Sequence, residues 1–373
     1  MNALSYRLSR RRLLRGALAG AAGVGAMALL GCGDDEEEAA PTAAQPAASP
    51  TSAASPRPTT PPATARWTPI AKGAQNPPAL RDHSLTYAAD TVYLFGGRAG
   101  GSPVDEFWAL DTSASPPAWR EITAGGGPAP RFGHNALFDG GKLIIVAGQG
   151  DDGFLNDVWS FDPAAGSWNE LGTKSEEEPA VRYGAGGALD VGRDRVFISH
   201  GFTDSGRFDD TWIFDLAENA WSKIDTDGNV PIKRCLLRTV WVNEQMLLFG
   251  GQTDGEPFLG DFWSLDTSAG RWTQKQPATL PSARNLFGAS FEQHAVAKQW
   301  TIYGGNTPDG PSGEIWAYVL PDDAWRRVEQ TGTTPSARYS ADIAGGGGML
   351  YMYGGTDDSG ELDDTWALEL ASA

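Results

Sequence analysis

From Trp67 to about Leu370 the chain alternates short apolar runs with polar turns rich in Gly, Asp and Pro. Residues 135–171 show the pattern, because apolar or alternating segments at 135–138, 142–146, 156–161 and 167–171 are separated by turns such as Asp139-Gly140-Gly141. Segments of four to six residues with this turn chemistry are typical of β-strands joined by tight connections. The pattern therefore predicts an all-β protein in which about 50 residues form one four-stranded unit.

The unit returns six times. The second predicted strand of each unit ends on two glycines, or on Ala or His followed by glycine, and a tryptophan follows the second glycine after eleven residues in five units and after twelve in one. Equivalent glycines lie 50 to 54 residues apart. The six pairs are Gly97 and Trp108, Gly148 and Trp159, Gly201 and Trp212, Gly251 and Trp263, Gly305 and Trp316, and Gly355 and Trp366.

A period of about 50 residues with paired glycines resembles the kelch-type blade. The resemblance covers about four-fifths of the chain and implies a six-bladed kelch-like β-propeller with four-stranded blades at 66–373, like the central domain of galactose oxidase. A second tryptophan follows the first in every unit except the last, and residues 66–70 match the missing outer strand in register. We therefore expect the N-terminal strand to close the ring and remove its free edges.

The repeated glycines and tryptophans have structural explanations. The glycines allow close backbone approach and a positive φ, so Ala147 and His200, which replace the first glycine, predict altered loops, with His200 in the channel or on a face. The tryptophans are expected to fill the space between blades.

Residues 1–31 carry five arginines, no acidic residue and a short glycine-rich apolar run. The run including Arg10 and Arg11 resembles a twin-arginine export signal, and Leu29-Leu30-Gly31-Cys32 resembles a lipobox whose Cys32 is lipidated after cleavage. Residues 32–65, rich in Ala, Pro, Thr and Ser, predict a disordered stalk. We expect an exported protein, lipid-anchored on the outer side of a bacterial cytoplasmic membrane, in the periplasm or at the cell surface.

Charge and cysteine content narrow the range of partners. The formal net charge is −18, and loss of residues 1–31 would move it to −23, which argues against binding to nucleic acid or to anionic lipid headgroups. The membrane is therefore expected to be contacted through the lipid anchor alone, and the propeller to be a monomer. Cys235 lacks a second propeller cysteine and is expected to be a small buried residue.

No pattern of metal or cofactor ligands stands out. The kelch resemblance includes copper-containing galactose oxidases and iron-binding specifier proteins, but His83, His134, His200 and His294 fall in different repeats. We expect no metal, no cofactor and no catalytic residue.

Arginines precede the predicted inner strands, and each unit has a carboxylate two residues before its first tryptophan. These predict ion pairs, which we favour as structural over ligand-binding. The carboxylates are Glu106, Asp157, Asp210, Asp261, Glu314 and Asp364, and the arginines are Arg81, Arg131, Arg182, Arg234, Arg284 and Arg338. Bacterial sialic acid mutarotases, also exported six-bladed kelch proteins, use arginine and acidic groups, so a sugar-processing activity of that type is the enzymatic alternative.

Ligand specificity is expected in the loops after the glycine pairs, where the repeats differ and the residues are mostly polar. The candidate face comprises the six arginines together with Arg98, Gln149, Phe202, Gln252, Asn306 and Thr356. The favoured function is a binding module for a protein or carbohydrate ligand, with the sugar-processing enzyme and a scaffold of an envelope complex as alternatives.

Overall fold

The computed structural model describes residues 64–292, 298–346 and 348–370, which form a six-bladed β-propeller. The expectations for Arg10, Arg11, Cys32 and the stalk up to residue 63 lie outside the described residues. Each blade is an antiparallel sheet of four strands, here called inner, second, third and outer from the axis outward. No helix in the described part has the length and hydropathy needed to cross a bilayer.

The strands follow the repeats in order. Blade 1 contains Ser84–Ala88, Thr91–Phe95, Phe107–Asp111 and Ala118–Glu121, and blade 2 contains Asn135–Phe138, Leu143–Gly150, Gly153–Asp162 and Ser167–Glu170. Blade 3 contains Gly186–Asp190, Arg195–Ser199, Thr211–Asp215 and Ala220–Lys223, and blade 4 contains Arg238–Val242, Gln245–Phe249, Phe262–Asp266 and Arg271–Lys275. Blade 5 contains Gly288–Glu292, Gln299–Tyr303, Ile315–Val319 and Ala324–Thr331, and blade 6 contains Asp342–Gly346, Met349–Tyr353, Thr365–Leu370 and Thr64–Ile70.

Short elements decorate the blades. Four hairpins of two-residue strands follow the glycine pairs of blades 1, 5 and 6 and His200-Gly201 of blade 3, and 3-10 turns occur in blades 3 and 5. The hairpins pair Arg98–Ala99 with Ser102–Pro103, Phe202–Thr203 with Gly206–Arg207, Asn306–Thr307 with Gly310–Pro311, and Thr356–Asp357 with Gly360–Glu361, and the turns are Val191–Arg193 and Leu320–Asp322.

The hydrophobic core is divided among the six interfaces between neighbouring blades. Each interface holds one cluster of buried apolar side chains contributed by the two sheets that face each other. Between blades 1 and 2, for example, Phe107 packs edge-on against Phe161 with ring centroids 4.7 Å apart. The repeated tryptophans belong to these clusters, so their predicted packing role is confirmed.

The N-terminal strand closes the ring as predicted. Thr64–Ile70 pairs antiparallel with Thr365–Leu370, placing Trp67 opposite Leu368. The same strand also pairs parallel with the outer strand of blade 5, where Thr64 lies opposite Glu329. It therefore joins blades 5 and 6 into one eight-stranded sheet, a link that the sequence did not predict.

The glycine pairs have the expected geometry, but the prediction for the two substituted repeats is wrong. A Cβ on Gly96 would approach the carbonyl oxygen of Arg131 to 2.6 Å, and Gly96 has φ 62°. Ala147 and His200 adopt the same left-handed conformation, with φ 62° and 63°. The backbone therefore keeps its course, and the imidazole of His200 is buried against Trp272 with ring centroids 6.0 Å apart, instead of projecting into the channel or onto a face.

Candidate functional site

A ring of backbone bridges builds one face of the propeller around the axis. In every blade a residue just before the inner strand pairs with the residue that follows the glycine pair. The hydrogen bonds are regular, as when Arg98 N–H donates to Arg81 O over 2.8 Å. We call the six bridged pairs the mouth, and they are Arg81 and Arg98, Phe132 and Gln149, Tyr183 and Phe202, Cys235 and Gln252, Asn285 and Asn306, and Tyr339 and Thr356.

Directly beneath the mouth lies a second ring, which we call the throat. Its six residues have φ between 54° and 62°, and backbone bonds link neighbouring blades, as when Gly184 N–H donates to Gly133 O over 2.8 Å and Leu236 N–H donates to Gly184 O over 2.7 Å. The throat consists of Asp82, Gly133, Gly184, Leu236, Leu286 and Ser340. Because these bonds run around the axis, they narrow the channel below the mouth.

Seven of the twelve predicted face residues lie in the mouth, all partly exposed. They are Arg81, Arg98, Gln149, Phe202, Gln252, Asn306 and Thr356. The other five, Arg131, Arg182, Arg234, Arg284 and Arg338, are almost completely buried, so their side chains do not contribute to the exposed surface of the mouth.

The five buried arginines form the ion pairs that the repeats predict. Arg131 Nη1 and Nη2 donate to Asp157 Oδ1 and Oδ2 over 2.6 and 2.8 Å, and Nη1 also donates to Ala147 O over 3.1 Å. The same carboxylate accepts from Trp159 Nε1 over 2.8 Å. Such charge-assisted bidentate pairs are rigid. They couple the arginine before the inner strand to the third strand of the same blade and are structural.

The arginine partners lower the pKa values of two of these carboxylates. Burial acts to raise the pKa of Asp210, but hydrogen bonds from Arg182 and the charge of its guanidinium hold that pKa below its usual value. The pKa of Asp261 is lowered in the same way, against the effect of burial, by Arg234. Both aspartates are therefore ionised wherever the protein is folded at neutral pH.

The prediction for blade 1 is wrong, because the register is shifted by one residue. Leu80 occupies the place of the buried arginine: its carbonyl accepts from Gly355 N–H over 2.8 Å, as Arg131 O accepts from Gly97 N–H over 2.8 Å. Arg81 therefore stands in the mouth, where its Nε lies 2.8 Å from Glu361 Oε1. Glu106 keeps the bond from Trp108 Nε1, over 2.6 Å, but has no salt bridge with an arginine of the described residues.

One sector of the mouth is aromatic. Tyr183 lies between Phe132 and Phe202 at centroid distances of 5.6 and 5.8 Å, and Phe154 lies 5.9 Å from Phe202. Burial raises the pKa of Tyr183 to about 12, so its hydroxyl stays protonated. Phe132, Tyr183 and Phe154 were not among the predicted face residues, although Phe132 and Tyr183 each follow one of the repeated arginines in the sequence, which was a usable signal.

Arginines frame this aromatic sector. The Arg98 guanidinium lies 4.3 Å from the Phe132 ring centroid, and that of Arg207 lies 5.3 Å from the centroid of Phe202. Arg207 pairs with Asp254 and Arg81 with Glu361, whereas Arg98 forms no salt bridge with a carboxylate of the described residues. The only side-chain hydrogen bond of Arg98 within the described residues, from Nε to Gly101 O, measures 3.2 Å. Arg98 thus offers an unneutralised cation over the buried ring of Phe132 and beside the partly exposed rings of this sector.

The opposite sector of the mouth carries amides and hydroxyls. Asn285 Nδ2 donates to Gln252 Oε1 over 3.0 Å and to Pro257 O over 2.8 Å. Asn306, Tyr339 and Thr356 complete this sector. Cys235 in the mouth is buried, as predicted, and burial raises the pKa of its thiol, so the thiol is not activated as a nucleophile.

The architecture and the mouth define a class of protein: a closed six-bladed β-propeller with an asymmetric aromatic and polar rim around its axis. The chain matches the KLHDC2/KLHL20/DRC7 Kelch-repeats domain over residues 60–251 and 237–373. It therefore belongs to the kelch-repeat family.

Known relatives share the repeats over most of this chain. Adagio-like protein 1 of Oryza sativa subsp. japonica is 25% identical over 331 residues, covering 82% of this chain and 52% of the relative. The Leucine-zipper-like transcriptional regulator 1 homolog of Drosophila melanogaster is 24% identical over 329 residues, covering 83% and 33%. The chain thus spans about half the length, or less, of these curated relatives.

A solved structure supports the fold. The protein in the "Structure of YjhT" superposes with a TM-score of 0.59 at 17% identity, covering 78% of this chain and 95% of that chain. At this identity the likeness supports the propeller architecture alone.

Proposed function

We propose that the mouth is a recognition site for a protein ligand, so that the propeller is a binding module. The observation that carries the proposal is the unneutralised Arg98 guanidinium over Phe132, next to the partly exposed rings of Phe154, Tyr183 and Phe202. Aromatic and arginine side chains at the centre of a rigid surface dominate the binding energy of many protein interfaces. Kelch-repeat family membership agrees with a binding role.

The chemistry of the mouth favours a segment with both an apolar and an acidic side chain. An apolar group would cover Phe202 and Tyr183, and a carboxylate would accept from Arg98, which has donors to spare within the described residues. Gln252 and Asn306 on the opposite side can bond a peptide backbone. The acidic charge of the whole chain would slow association with other acidic surfaces, so the contact with Arg98 has to be local.

Selection of peptides from a random displayed library on the full chain tests this proposal. We expect selected peptides to combine aromatic or aliphatic residues with Asp or Glu, and their affinity to fall about tenfold or more in Arg98→Ala and Phe202→Ala, the usual scale for a central interface residue. Arg120→Ala, an exposed arginine on the outer strand of blade 1, is the matched control. Peptides that bind the two mouth variants as well as the unchanged protein would contradict the assignment.

A carbohydrate ligand is the alternative for the same mouth, because exposed aromatic rings and amides also suit sugars. A glycan array probed with the full chain tests this alternative. Binding to a glycan that depends on Phe202 and Asn306, together with failure of the peptide selection, would establish a carbohydrate ligand. A sugar-processing enzyme would need an arginine and a carboxylate at the mouth, and Arg81 of the mouth with Glu361 of the blade 6 hairpin supplies such a pair. Anomer exchange of sialic acid that is abolished by Glu361→Gln would favour that activity over simple binding.

We propose further that the module is exported and tethered by lipid at Cys32, through the stalk at 32–65, so that a ligand or envelope complex meets the propeller outside the cytoplasmic membrane. The support is the sequence pattern around Arg10, Arg11 and Cys32. Replacing Cys32 by Ser should move the protein from the membrane to the soluble fraction, and Arg10→Lys with Arg11→Lys should block its export. Unchanged fractionation of both variants would refute the tether and the signal.

A further inference from the structure

Below the throat the central channel widens into a cavity of about 480 Å³ that is lined by the inner strands of the blades. The hydrogen-bonded throat, which includes Gly133, Gly184 and Leu236, narrows its end toward the mouth. The inner strands turn back at the other end, where the cavity is lined by Val191, half of whose surface is exposed (51%). Small-molecule sites occupy roughly 300–1,000 Å³, so the cavity has a suitable size and opens away from the mouth.

The floor of the cavity is polar and asymmetric. It is formed by the first residues of the inner strands, among them Arg238 of blade 4 and Asp342 of blade 6, whose Nη2 and Oδ1 lie 3.3 Å apart. The carboxylate of Asp342 also accepts from Leu85 N–H over 3.0 Å and Ala289 N–H over 3.4 Å. Both of its oxygens are therefore occupied by donors of the protein.

Arg238 has donors left over. Its Nε donates to Phe287 O over 2.9 Å and its Nη2 to Asp342, but its Nη1 makes no hydrogen bond within the described residues. About a third of its side chain is exposed (32%), against 6% for Asp342. A guanidinium carries five N–H donors in a planar fork. Most of the unused hydrogen-bonding capacity of this pair thus lies on the cationic side.

The other titratable group at the floor is uncharged. His134 also lines the cavity, and its Nε2 lies 2.9 Å from Ser84 Oγ. Burial, together with the charges of Arg131, His83 and Arg238, holds its pKa well below the usual value. On the mouth side of the floor, burial raises the pKa of Asp82 in the throat, and Arg81 Nη1 lies 3.7 Å from its Oδ2. His134 therefore adds no charge at the floor that would affect an acceptor placed at Arg238 Nη1.

The wall nearer the opening is aromatic. The fourth residue of each inner strand forms a rim of partly exposed side chains, and the members are Tyr87, Phe138, Leu189, Trp241 and Phe291, with Gly345 in blade 6. Trp241 is stacked on Phe197 at 4.8 Å with an interplanar angle of 10°, so its ring is held in place. Between rim and floor, the buried hydroxyls of Thr86 and Thr239 have no hydrogen-bond partner in the described residues.

We propose that this cavity binds a small organic anion with a flat apolar body, its carboxylate accepting from Arg238 Nη1 and its body lying between the aromatic side chains of the rim. The assignment rests on the spare donors of Arg238, the protein donors that already bond both oxygens of Asp342 and the unpartnered hydroxyls on the wall. An aromatic body gains from contact with rings such as Trp241 and Phe291. The site is on the far side of the throat from the mouth, and it is independent of the function proposed there.

Three related probes test the charge and the body separately by calorimetry on the full chain: indole-3-acetate, indole and tryptamine. Indole-3-acetate should bind best, because it has both the aromatic body and the anionic head, and tryptamine should bind worst. Arg238→Met should weaken indole-3-acetate about tenfold or more, the effect of losing one charge-assisted bond, and leave indole nearly unchanged. Phe291→Ala should weaken both probes.

The matched control is Arg271→Met, which removes an exposed arginine from the outer strand of blade 4 and should leave all three affinities unchanged. Three results would overturn the proposal. They are unchanged affinity of Arg238→Met for indole-3-acetate, equal affinity of the unchanged protein for the three probes, and no binding of any probe at millimolar concentration. If Arg238→Met fails to fold, Phe291→Ala provides the test, because Phe291 lies on the rim away from the ion pair. Unchanged affinity of Phe291→Ala for indole-3-acetate would also overturn the proposal.

Discussion

The closure of the ring by Trp67 can be tested with one substitution. Trp67 is 3% exposed, it packs edge-on against Tyr303 and Trp366 with centroid distances of 5.2 and 6.3 Å, and its Nε1 donates to Gln330 Oε1 over 2.7 Å. Truncating a buried tryptophan to alanine costs about 3–5 kcal/mol, because the lost contacts leave a cavity. We therefore expect Trp67→Ala to lower the free energy of unfolding by about that amount.

Urea denaturation of the full chain, followed by circular dichroism, measures this loss. Trp119→Ala is the matched comparison, since Trp119 holds the equivalent place in blade 1, is 6% exposed and donates to Thr365 Oγ1 over 2.9 Å. If the N-terminal strand is a full member of blade 6, the two variants should lose similar stability. Thr68 lies on the same strand and points to solvent. Thr68→Ala should therefore change the free energy of unfolding by less than about 0.5 kcal/mol. A loss of less than about 1 kcal/mol for Trp67→Ala, with Trp119→Ala losing the full amount, would refute closure as a source of stability.

Two further perturbations test the buried charges and histidines. Arg182→Met removes a fully buried guanidinium and leaves Asp210, whose side chain is 18% exposed, without its partner, so it should cost about 3–5 kcal/mol. Arg81→Met removes an arginine whose side chain is 27% exposed and should cost less than about 1 kcal/mol in the same urea assay. Equal losses would contradict the structural role of the buried arginines. Burial, followed by the charge of Arg238, lowers the pKa of His83 to about 3, so its contribution to stability is complete above the unfolded pKa near 6.5 and is lost as the pH falls from there toward 3. His83→Phe should therefore remove up to about 1.4 kcal/mol per pH unit from the slope of stability between pH 6 and 4, and an unchanged slope would show that the imidazole is protonated in the folded protein.

Most of the fold could be predicted because each structural device occurs six times. The glycine pairs and tryptophans specify the blade, and the match of residues 66–70 to the outer strands specifies the closure. The parallel pairing of the first strand with blade 5 could not be predicted, because it depends on the extra length of Ala324–Thr331, which extends beyond its own blade.

The mistake in blade 1 shows how residue type can mislead. In the other blades the buried arginine lies four residues before the first residue of the inner strand, as Arg131 does before Asn135, whereas Arg81 lies only three before Ser84. The spacing to the inner strand therefore indicates Leu80 as the equivalent of the buried arginines. Arg81, the next residue, was predicted in its place because it has the same side chain as the residues in the other blades. In the two substituted repeats, Ala147 and His200 adopt the αL conformation, which costs a residue other than glycine only about 1–2 kcal/mol. The interactions of the surrounding structure offset this cost.

The candidate sites were harder to predict than the fold, because they depend on which residues meet around the axis. Phe132 and Tyr183 come together from blades 2 and 3, about 50 residues apart in the chain. The aromatic rim of the cavity is visible once the inner strands are aligned, at the fourth position of each. The direction of the Arg238 side chain toward Asp342 is set by packing across blade 5 and has no signature in the repeats.

Repetition also separates residues that stabilise the propeller from residues that give it specificity. A buried arginine, as in Arg182 with Asp210, recurs in five blades and pairs each time with the carboxylate two residues before the first tryptophan. Arg98 and Arg238 have no equivalent arginine at the same place in another blade and each retains donors that the described residues do not use. A ligand needs an asymmetric surface, and unused hydrogen-bonding groups supply the specific part of its binding energy. Arg98 and Arg238 therefore mark the two candidate sites, one on each side of the throat.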